Sequence, residues 1–235
     1  MEWLDRLSAK KGAIGIELLP EGFTIAALGC LGDAKRVDYI HVAGPGDDKF
    51  DPKKALHHYV HKHKIQKRLC HVILSHKAYQ LLLVEAPDVP DEDLREAIKW
   101  KVKDLINMPV ESAVVDVVKL PADANRSSKT MVYVAVANLD RVKPMIEWVN
   151  DSGLTLSSID IPEMALRNLS VVLAEDMQGR GVGVVRIHAG GGVICLYKDK
   201  NLYLSRQFKL AYNGGLLDDL PEDALVNITI YDMMG

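Results

Sequence analysis

The sequence has few cysteines, few aromatic residues, no long apolar run and no excess of charge of one sign. Its three cysteines, Cys30, Cys70 and Cys195, lie far apart and form no CxxC pair, which favours a reducing compartment and excludes a disulfide framework. No stretch approaches the roughly 18 apolar residues of a membrane-spanning helix. Residues 1–11 lack the apolar core of a signal peptide. With 29 basic against 32 acidic side chains, the net charge of −3 gives no reason to expect a nucleic-acid partner.

The composition is that of a soluble globular protein. Hydrophobic residues make up 48% of the 235 positions and charged residues 26%, so the chain is long enough for one large or two small domains. Aromatic residues reach only 6%, which indicates an aliphatic, sheet-rich core.

Short apolar runs separated by turn residues predict a three-stranded meander at 13–18, 23–28 and 37–42. Pro52 then opens a helix that is expected to run to about Gln66, and a buried strand follows at 70–74. The first part of the chain is therefore predicted as β-β-β-α-β.

The middle of the chain reads as strand, helix, strand, strand and a helix leading out. The strands are expected at 81–84, 114–120 and 130–137, and the last helix at 139–151, ended by Gly153. The helix after Pro90 has acids in its first turn and lysines later, which suits the helix dipole. Its expected apolar stripe comprises Leu94, Ile98, Val102, Leu105 and Ile106.

A return strand at 154–161 and a helix at 162–175 precede a second meander at 183–187, 193–197 and 202–208. Because this meander repeats the pattern of the first, we expect an internally duplicated fold.

Three segments at consistent spacing resemble the PilM-type family of type IV pilus assembly proteins. They are Pro90 to Pro109, with Glu96-Ala97-Ile98-Lys99-Trp100 and Ile106-Asn107-Met108-Pro109, then Asp160 to Leu166, and Gly183 to Phe208. The resemblance covers roughly residues 11 to 215. Within the family the sequence is most similar to the MshI-type proteins of mannose-sensitive haemagglutinin (MSHA) pili, and it is more distantly similar to the cytoplasmic part of type II secretion L proteins.

The resemblance implies an α/β fold of the actin-like ATPase (ribonuclease H-like) class, with an inserted strand-helix-strand-strand subdomain and a truncated second half. The implied domains are a first half-domain at 1–80 plus 151–178, an insertion at 81–150, and a partial second half-domain at 179–235. It also implies a place in the cytoplasm, peripheral to the inner membrane.

Two hairpins correspond to the phosphate loops of actin-like proteins, where an aspartate and glycine-rich backbone approach a nucleotide. The family's Asp-x-Gly-Ser aligns with Glu17-Leu18-Leu19-Pro20, which keeps the acid, replaces the glycine with Leu19 and removes a backbone donor at Pro20.

The family's second pattern, Asp-x-Gly-x-Ser-Thr-Thr, aligns with the segment from Arg186 through His188 to Gly190-Gly191-Gly192. Arg186 replaces the carboxylate and cannot coordinate Mg²⁺. The three glycines fit either an anion cradle or a permissive hairpin turn. We therefore expect no catalytic residue and no cofactor, with ATP and Mg²⁺ binding as the disfavoured alternative.

The segment Ile106, Asn107, Met108 and Pro109 is the candidate for partner binding. Its apolar residues fit either a plug between two subdomains or an exposed lip. In the family this junction borders the groove where the cytoplasmic N-terminal peptide of a bitopic inner-membrane protein inserts, so the resemblance implies a PilN-like partner. The assembly ATPase and a second copy of the chain are further expected partners.

Histidines and lysines are concentrated in the first predicted helix. His57 and His61 have the i, i+4 spacing of zinc ligands, but a third ligand is absent nearby and lysines surround them, so no metal site is predicted. The helix fits a solvated face, or a docking face for an acidic partner or anionic lipid headgroups. Ser75 and His76 point apart on a strand end, which excludes a nucleophile and base pair.

These observations predict a non-catalytic cytoplasmic adapter of an MSHA-like type IV pilus, which binds the N-terminal peptide of an inner-membrane protein and links it to the assembly machinery. The alternative is an ATP-binding actin-like protein with weak or no hydrolysis.

Overall fold

The computed structural model describes residues 12–19, 22–31, 34–44, 50–124, 129–173, 179–188 and 191–209. The strands are β1 Ile14–Leu19, β2 Gly22–Leu31, β3 Ala34–Ala43, β4 Leu69–Ile73, β5 Tyr79–Glu85, β6 Ala113–Lys119, β7 Met131–Asn138, β8 Thr155–Asp160, β9 Val182–His188, β10 Gly191–Lys198 and β11 Asn201–Lys209. The helices are α1 Pro52–Lys62, α2 Asp91–Lys101, α3 Leu139–Asp151 and α4 Pro162–Leu173. Two single-turn 3₁₀ helices lie at Val110–Ser112 and Ala122–Ala124.

The largest sheet has five strands in the order β3-β2-β1-β4-β8. The meander β1-β2-β3 is antiparallel, while β4 pairs parallel with both β1 and β8. Residues of β1 alternate between the two faces of the sheet, so that Ile14, Ile16 and Leu18 are buried while Glu17 lies on the opposite face. The predicted β-β-β-α-β order of the first part of the chain is therefore correct.

The core of this sheet is built from β1, β2, β4, α1 and α3. Helix α1 buries Leu56, Tyr59 and Val60, whose i, i+3, i+4 spacing forms one apolar face. Trp148 and Val149 of α3 join the same cluster. The aliphatic core expected from the low aromatic content is present, because most of its members are isoleucine, leucine and valine.

Two helices end earlier than their apolar patterns suggest. Helix α1 ends at Lys62 rather than Gln66, because Lys64 takes the left-handed conformation with φ of 55°. Helix α2 ends at Lys101, and Val102 is its C-cap. The expected stripe is therefore wrong at Leu105, which lies in the following turn and is 54% exposed. The remaining stripe positions, Leu94, Ile98, Val102 and Ile106, are buried.

Two three-stranded sheets complete the described part of the chain, with the orders β5-β7-β6 and β11-β10-β9. The first follows the predicted strand-helix-strand-strand order of β5, α2, β6 and β7. The second is the predicted meander, antiparallel throughout. Its buried side is formed by Val193, Cys195, Tyr197 and Leu202.

The described residues divide into two compact units. Unit 1 comprises those of Met1–Leu83, Pro87–Val117 and Val134–Pro162, and unit 2 those of Val84–Ala86, Val118–Tyr133 and Glu163–Gly235. The three domain boundaries inferred from the sequence stay a prediction. Within the described residues, no helix is both long and apolar enough to cross a membrane.

Candidate functional site

The segment Ile106–Pro109, named the lip from here on, follows α2 in unit 1. Its first residue is buried, with Ile106 only 9% exposed, whereas Asn107 and Pro109 are exposed and Met108 is half-buried. The backbone N–H of Asn107 donates a hydrogen bond to Oε1 of Gln80, at 3.2 Å. Ile106 therefore fills the interior, while Asn107 lies at the surface beside β5.

Strand β5 lies at the edge of its sheet in the described part of the chain, with β7 as its hydrogen-bonded neighbour. Leu83 of this strand is 49% exposed. An edge strand offers backbone N–H and C=O groups to an extended peptide, and an exposed leucine offers apolar contact. The sequence did not single out Gln80 or Leu83, because strand order within the sheet decides which strand is at the edge.

The last turn of α2 and the turn that follows it expose two further large apolar side chains, Trp100 and Leu105. Trp100 is 53% exposed, and its indole N–H donates a hydrogen bond of 2.9 Å to Oε1 of Glu96, one turn earlier. This bond restrains the indole along the helix surface. Together with exposed Leu105, the ring gives this segment the aromatic and aliphatic character that is common in protein interfaces.

The first candidate phosphate loop is the β1–β2 hairpin in unit 1. Glu17 is half-buried and pairs with Thr24 of β2 and Ile73 of β4 in the strand register. Leu19 is the last residue of β1 and pairs with Gly22. Pro20 lies outside the described residues. Leu19 is part of the strand pairing, and its side chain occupies the position that is glycine in the family pattern.

The second candidate loop is the β9–β10 hairpin in unit 2. Arg186 pairs with Val193, His188 with Gly191, and Gly192 with Ile187, while Gly190 lies outside the described residues. A Cβ atom on Gly192 would lie 2.5 Å from Cζ of Phe208 and 2.5 Å from the carbonyl oxygen of Arg186. The ring of Phe208 therefore lies directly on the α carbon of Gly192.

This packing gives Gly192 a structural role. A glycine in a phosphate loop leaves its backbone open to the ligand, whereas the face of Gly192 on which a side chain would stand is covered by an aromatic ring of β11. Phe208 was not identified from the sequence as relevant to this loop, because the contact depends on the register between β10 and β11. The arrangement favours the hairpin-turn interpretation of the glycine run.

Three of the four histidines on α1 and at its C-cap make tilted ring contacts. The ring centroids of His57 and His61 lie 4.2 Å apart, as do those of Tyr59 and His63. Nδ1 of His57 lies 3.0 Å from the carbonyl oxygen of Asp151, so this nitrogen donates. Among the described residues, no group of three or more His, Cys, Asp or Glu side chains is arranged to hold a metal ion.

The two cysteines whose side chains are described are poor nucleophiles. Burial raises the pKa of the Cys70 thiol to about 12 and, with minor contributions from neighbours, that of the Cys195 thiol to about 11. Both therefore stay protonated at neutral pH, and the thiolate is the reactive form. Cys195 instead belongs to a polar cluster in unit 2.

That cluster connects α4 to the β9–β11 sheet. The Tyr197 hydroxyl donates to the backbone carbonyl of Glu163 at 2.6 Å. The Ser205 N–H donates to the hydroxyl of Tyr133 at 2.9 Å, and the Ser205 hydroxyl lies 3.4 Å from Oε1 of Glu163. Glu163 is completely buried. These bonds satisfy buried polar groups, so their role in unit 2 is structural.

No protein-family model matches the chain, and no curated protein is similar to it. Among solved structures, the chain is similar to one described as the PilM-PilN type IV pilus biogenesis complex. The TM-score is 0.66 at 21% sequence identity, with 84% of this chain and 61% of that chain covered. The present chain thus spans about three fifths of the length of that relative.

The chain is also similar to the cytoplasmic domain of EpsL, an inner-membrane component of the type II secretion system of Vibrio cholerae. The TM-score is 0.56 at 13% identity, with 83% of this chain and 70% of that chain covered. At these identities the likeness is one of fold. The fold class predicted from the sequence, an actin-like α/β fold that carries a strand-helix-strand-strand segment, is confirmed.

Proposed function

We propose that the chain is a non-catalytic adapter that binds an extended peptide along β5, beside the lip. The observation that carries the proposal is the hydrogen bond from Asn107 to Gln80, which holds an exposed segment next to an edge strand. Main-chain hydrogen bonds to β5 supply affinity in this mode of binding, and contacts to alternate side chains supply specificity.

The peptide is the cytoplasmic N-terminus of a bitopic inner-membrane protein similar to PilN. Support comes from the fold likeness to a structure described as a PilM-PilN complex, and from the sequence resemblance around Glu96–Trp100 and Ile106–Pro109. The adapter works in the cytoplasm at the inner membrane and links this protein to the assembly machinery, including its ATPase. The assignment to an MSHA-type pilus rests on the sequence resemblance alone.

Isothermal titration of the full chain with the N-terminal peptide of the cognate partner tests the proposal. Saturable binding is expected, and Met108→Asp and Leu83→Asp are each expected to weaken it at least about tenfold, because a charge would be buried against apolar peptide side chains. Leu83 is well exposed, so its substitution tests the surface without disturbing the interior.

Val114→Asp is the matched control, since Val114 is 42% exposed on β6, at the other edge of the same sheet. It is expected to bind the peptide like the wild type. An absence of binding heat with the wild type, or equal losses in Leu83→Asp and Val114→Asp, would contradict binding along β5.

The alternative function is ATP binding without efficient hydrolysis. Glu17 on β1 and the glycines of the β9–β10 hairpin are the features that favour it. The contact of Phe208 with Gly192 and the replacement of an acid by Arg186 oppose it. Titration with Mg·ATP separates the two functions: saturable binding that disappears in Gly191→Val would support a nucleotide site, and the adapter proposal expects no saturable binding.

A further inference from the structure

Residues 52–68 carry the largest concentration of net positive charge in the chain. They carry six lysines and arginines and four histidines, without a single aspartate or glutamate. The remaining 218 residues carry 23 basic against 32 acidic side chains, a net charge of −9 beside the +6 of this segment. Positive charge is therefore concentrated on α1 and the turn that follows it, although the whole chain has a net charge of only −3.

The fold displays these side chains on one surface of unit 1. Helix α1 buries Leu56, Tyr59 and Val60, and Ile65 of the turn is buried as well. The opposite side of the helix and the turn is exposed and consists of Lys53, Lys54, His57, His58, His61, Lys62, His63, Lys64 and Lys67. This set is named the basic face.

Within the part of the chain that the structure describes, the acidic side chains close to this face lie at its margins. Asp51, the N-cap of α1, accepts from the backbone N–H groups of Lys53 and Lys54 and lies 3.5 Å from Nζ of Lys54. On α3, which packs against α1 in the core, Glu147 and Asp151 are exposed. Three carboxylates at the edges do not offset the five lysines of the face.

We infer that the basic face docks on the surface of an anionic lipid bilayer. A protein interface needs apolar or aromatic anchors at its centre, and residues 52–68 expose no large apolar side chain. A cluster of four to eight lysines and arginines is, by contrast, sufficient for attraction to anionic headgroups, at about 1 kcal/mol for each basic residue near the surface. Charge complementarity fits either an acidic protein or anionic lipid, and the lack of an exposed apolar anchor within 52–68 favours the lipid surface.

This inference does not rest on the proposed peptide binding, since it uses a different surface of unit 1. The two are compatible, because a face held at the membrane would keep the adapter close to the N-terminus of a bitopic protein. The two proposals are tested independently, because the vesicle assay contains no partner peptide and the peptide titration contains no lipid.

Co-sedimentation of the full chain with vesicles tests the inference. Binding to phosphatidylglycerol vesicles is expected at about 0.05 M salt, with none to phosphatidylcholine vesicles and release at about 0.5 M salt, where the Debye length falls to a few ångströms. The variant Lys53→Gln/Lys62→Gln/Lys64→Gln is expected to partition about a hundredfold more weakly, from the loss of three basic residues at the surface.

The matched control is Lys99→Gln/Lys103→Gln/Lys143→Gln, which changes the net charge equally but leaves the basic face intact. It is expected to bind within about threefold of the wild type, as is Lys53→Arg/Lys62→Arg/Lys64→Arg, which keeps the charge. Equal losses in the two glutamine variants would overturn the inference. An absence of binding to phosphatidylglycerol vesicles would also overturn it. If the chain then bound polyglutamate, the basic face would be a docking site for an acidic protein.

Discussion

At the scale of single residues, Phe208 and Gly192 form a pair that explains why the β9–β10 hairpin needs a glycine. A glycine within a strand leaves a gap on the sheet surface, and an aromatic side chain from the neighbouring strand fills such a gap well. Gly192 and Phe208 are directly opposite each other in the register of β10 and β11, which brings the ring onto the glycine.

Gly192→Ala is expected to lower the free energy of unfolding by about 1–3 kcal/mol, the usual cost of overpacking. The new methyl group would lie 2.5 Å from the Arg186 carbonyl oxygen, which is backbone and cannot move away as a flexible side chain could. Urea denaturation of the full chain measures the change.

Gly183→Ala is the control, because Gly183 lies in the same sheet and its Cβ would be 3.4 Å from Cδ2 of Leu196, an ordinary contact. A change within about 0.5 kcal/mol is expected there. Similar unfolding curves for the two variants would show that packing does not require a glycine at position 192.

At the scale of elements, the sequence predicts most of the strands and helices because their apolar periodicity is clear. Each of the predicted strands in the two meanders is present. The first is shifted by one residue, and the others extend beyond their predicted bounds. Helix ends are less predictable, since the left-handed Lys64 that ends α1 is not a residue type that favours this conformation. Apolar periodicity therefore overestimated both α1 and α2.

Helix α3 forms although it contains a proline in its interior. Pro144 is the sixth residue of this helix, is exposed and has no N–H to donate to the carbonyl oxygen of Asp140. The helix still forms, because Val142, Trp148 and Val149 are buried and Asn138 caps its start by accepting from the Asp140 N–H at 2.8 Å. Tertiary packing and capping outweigh the local penalty.

Pro144→Ala is expected to raise the free energy of unfolding by about 1–2 kcal/mol. Restoring the hydrogen bond and the helix propensity is worth up to about 3 kcal/mol, and the greater entropy of the unfolded chain offsets about 1 kcal/mol. Thermal denaturation monitored by circular dichroism checks this. The neighbouring exposed variant Lys143→Ala should change stability by less than about 0.5 kcal/mol, and an equal or lower stability of Pro144→Ala would contradict the argument.

At the scale of the whole molecule, the sequence predicts the fold class but only part of the candidate site. The lip and both candidate phosphate loops are visible as sequence patterns. The edge position of β5 and the contact of Phe208 with Gly192 depend on which strands become neighbours, and strand order is a property of the assembled fold. The concentration of positive charge on α1 is visible in the sequence. That these side chains share one exposed face follows only from the buried positions of the helix.

The stability of the chain is expected to fall as the pH rises above about 9. Burial raises the pKa of Cys70 from 9.0 to about 12 and that of Cys195 to about 11, so the folded chain keeps protons that the unfolded chain releases. Each thiol contributes stability that is complete below pH 9 and is lost between pH 9 and its folded pKa, at up to about 1.4 kcal/mol per pH unit. Urea midpoints measured from pH 8 to 10.5 should therefore decline less steeply in Cys70→Ala than in the wild type. Identical slopes would mean that the Cys70 thiol ionises as readily in the folded chain as in the unfolded chain.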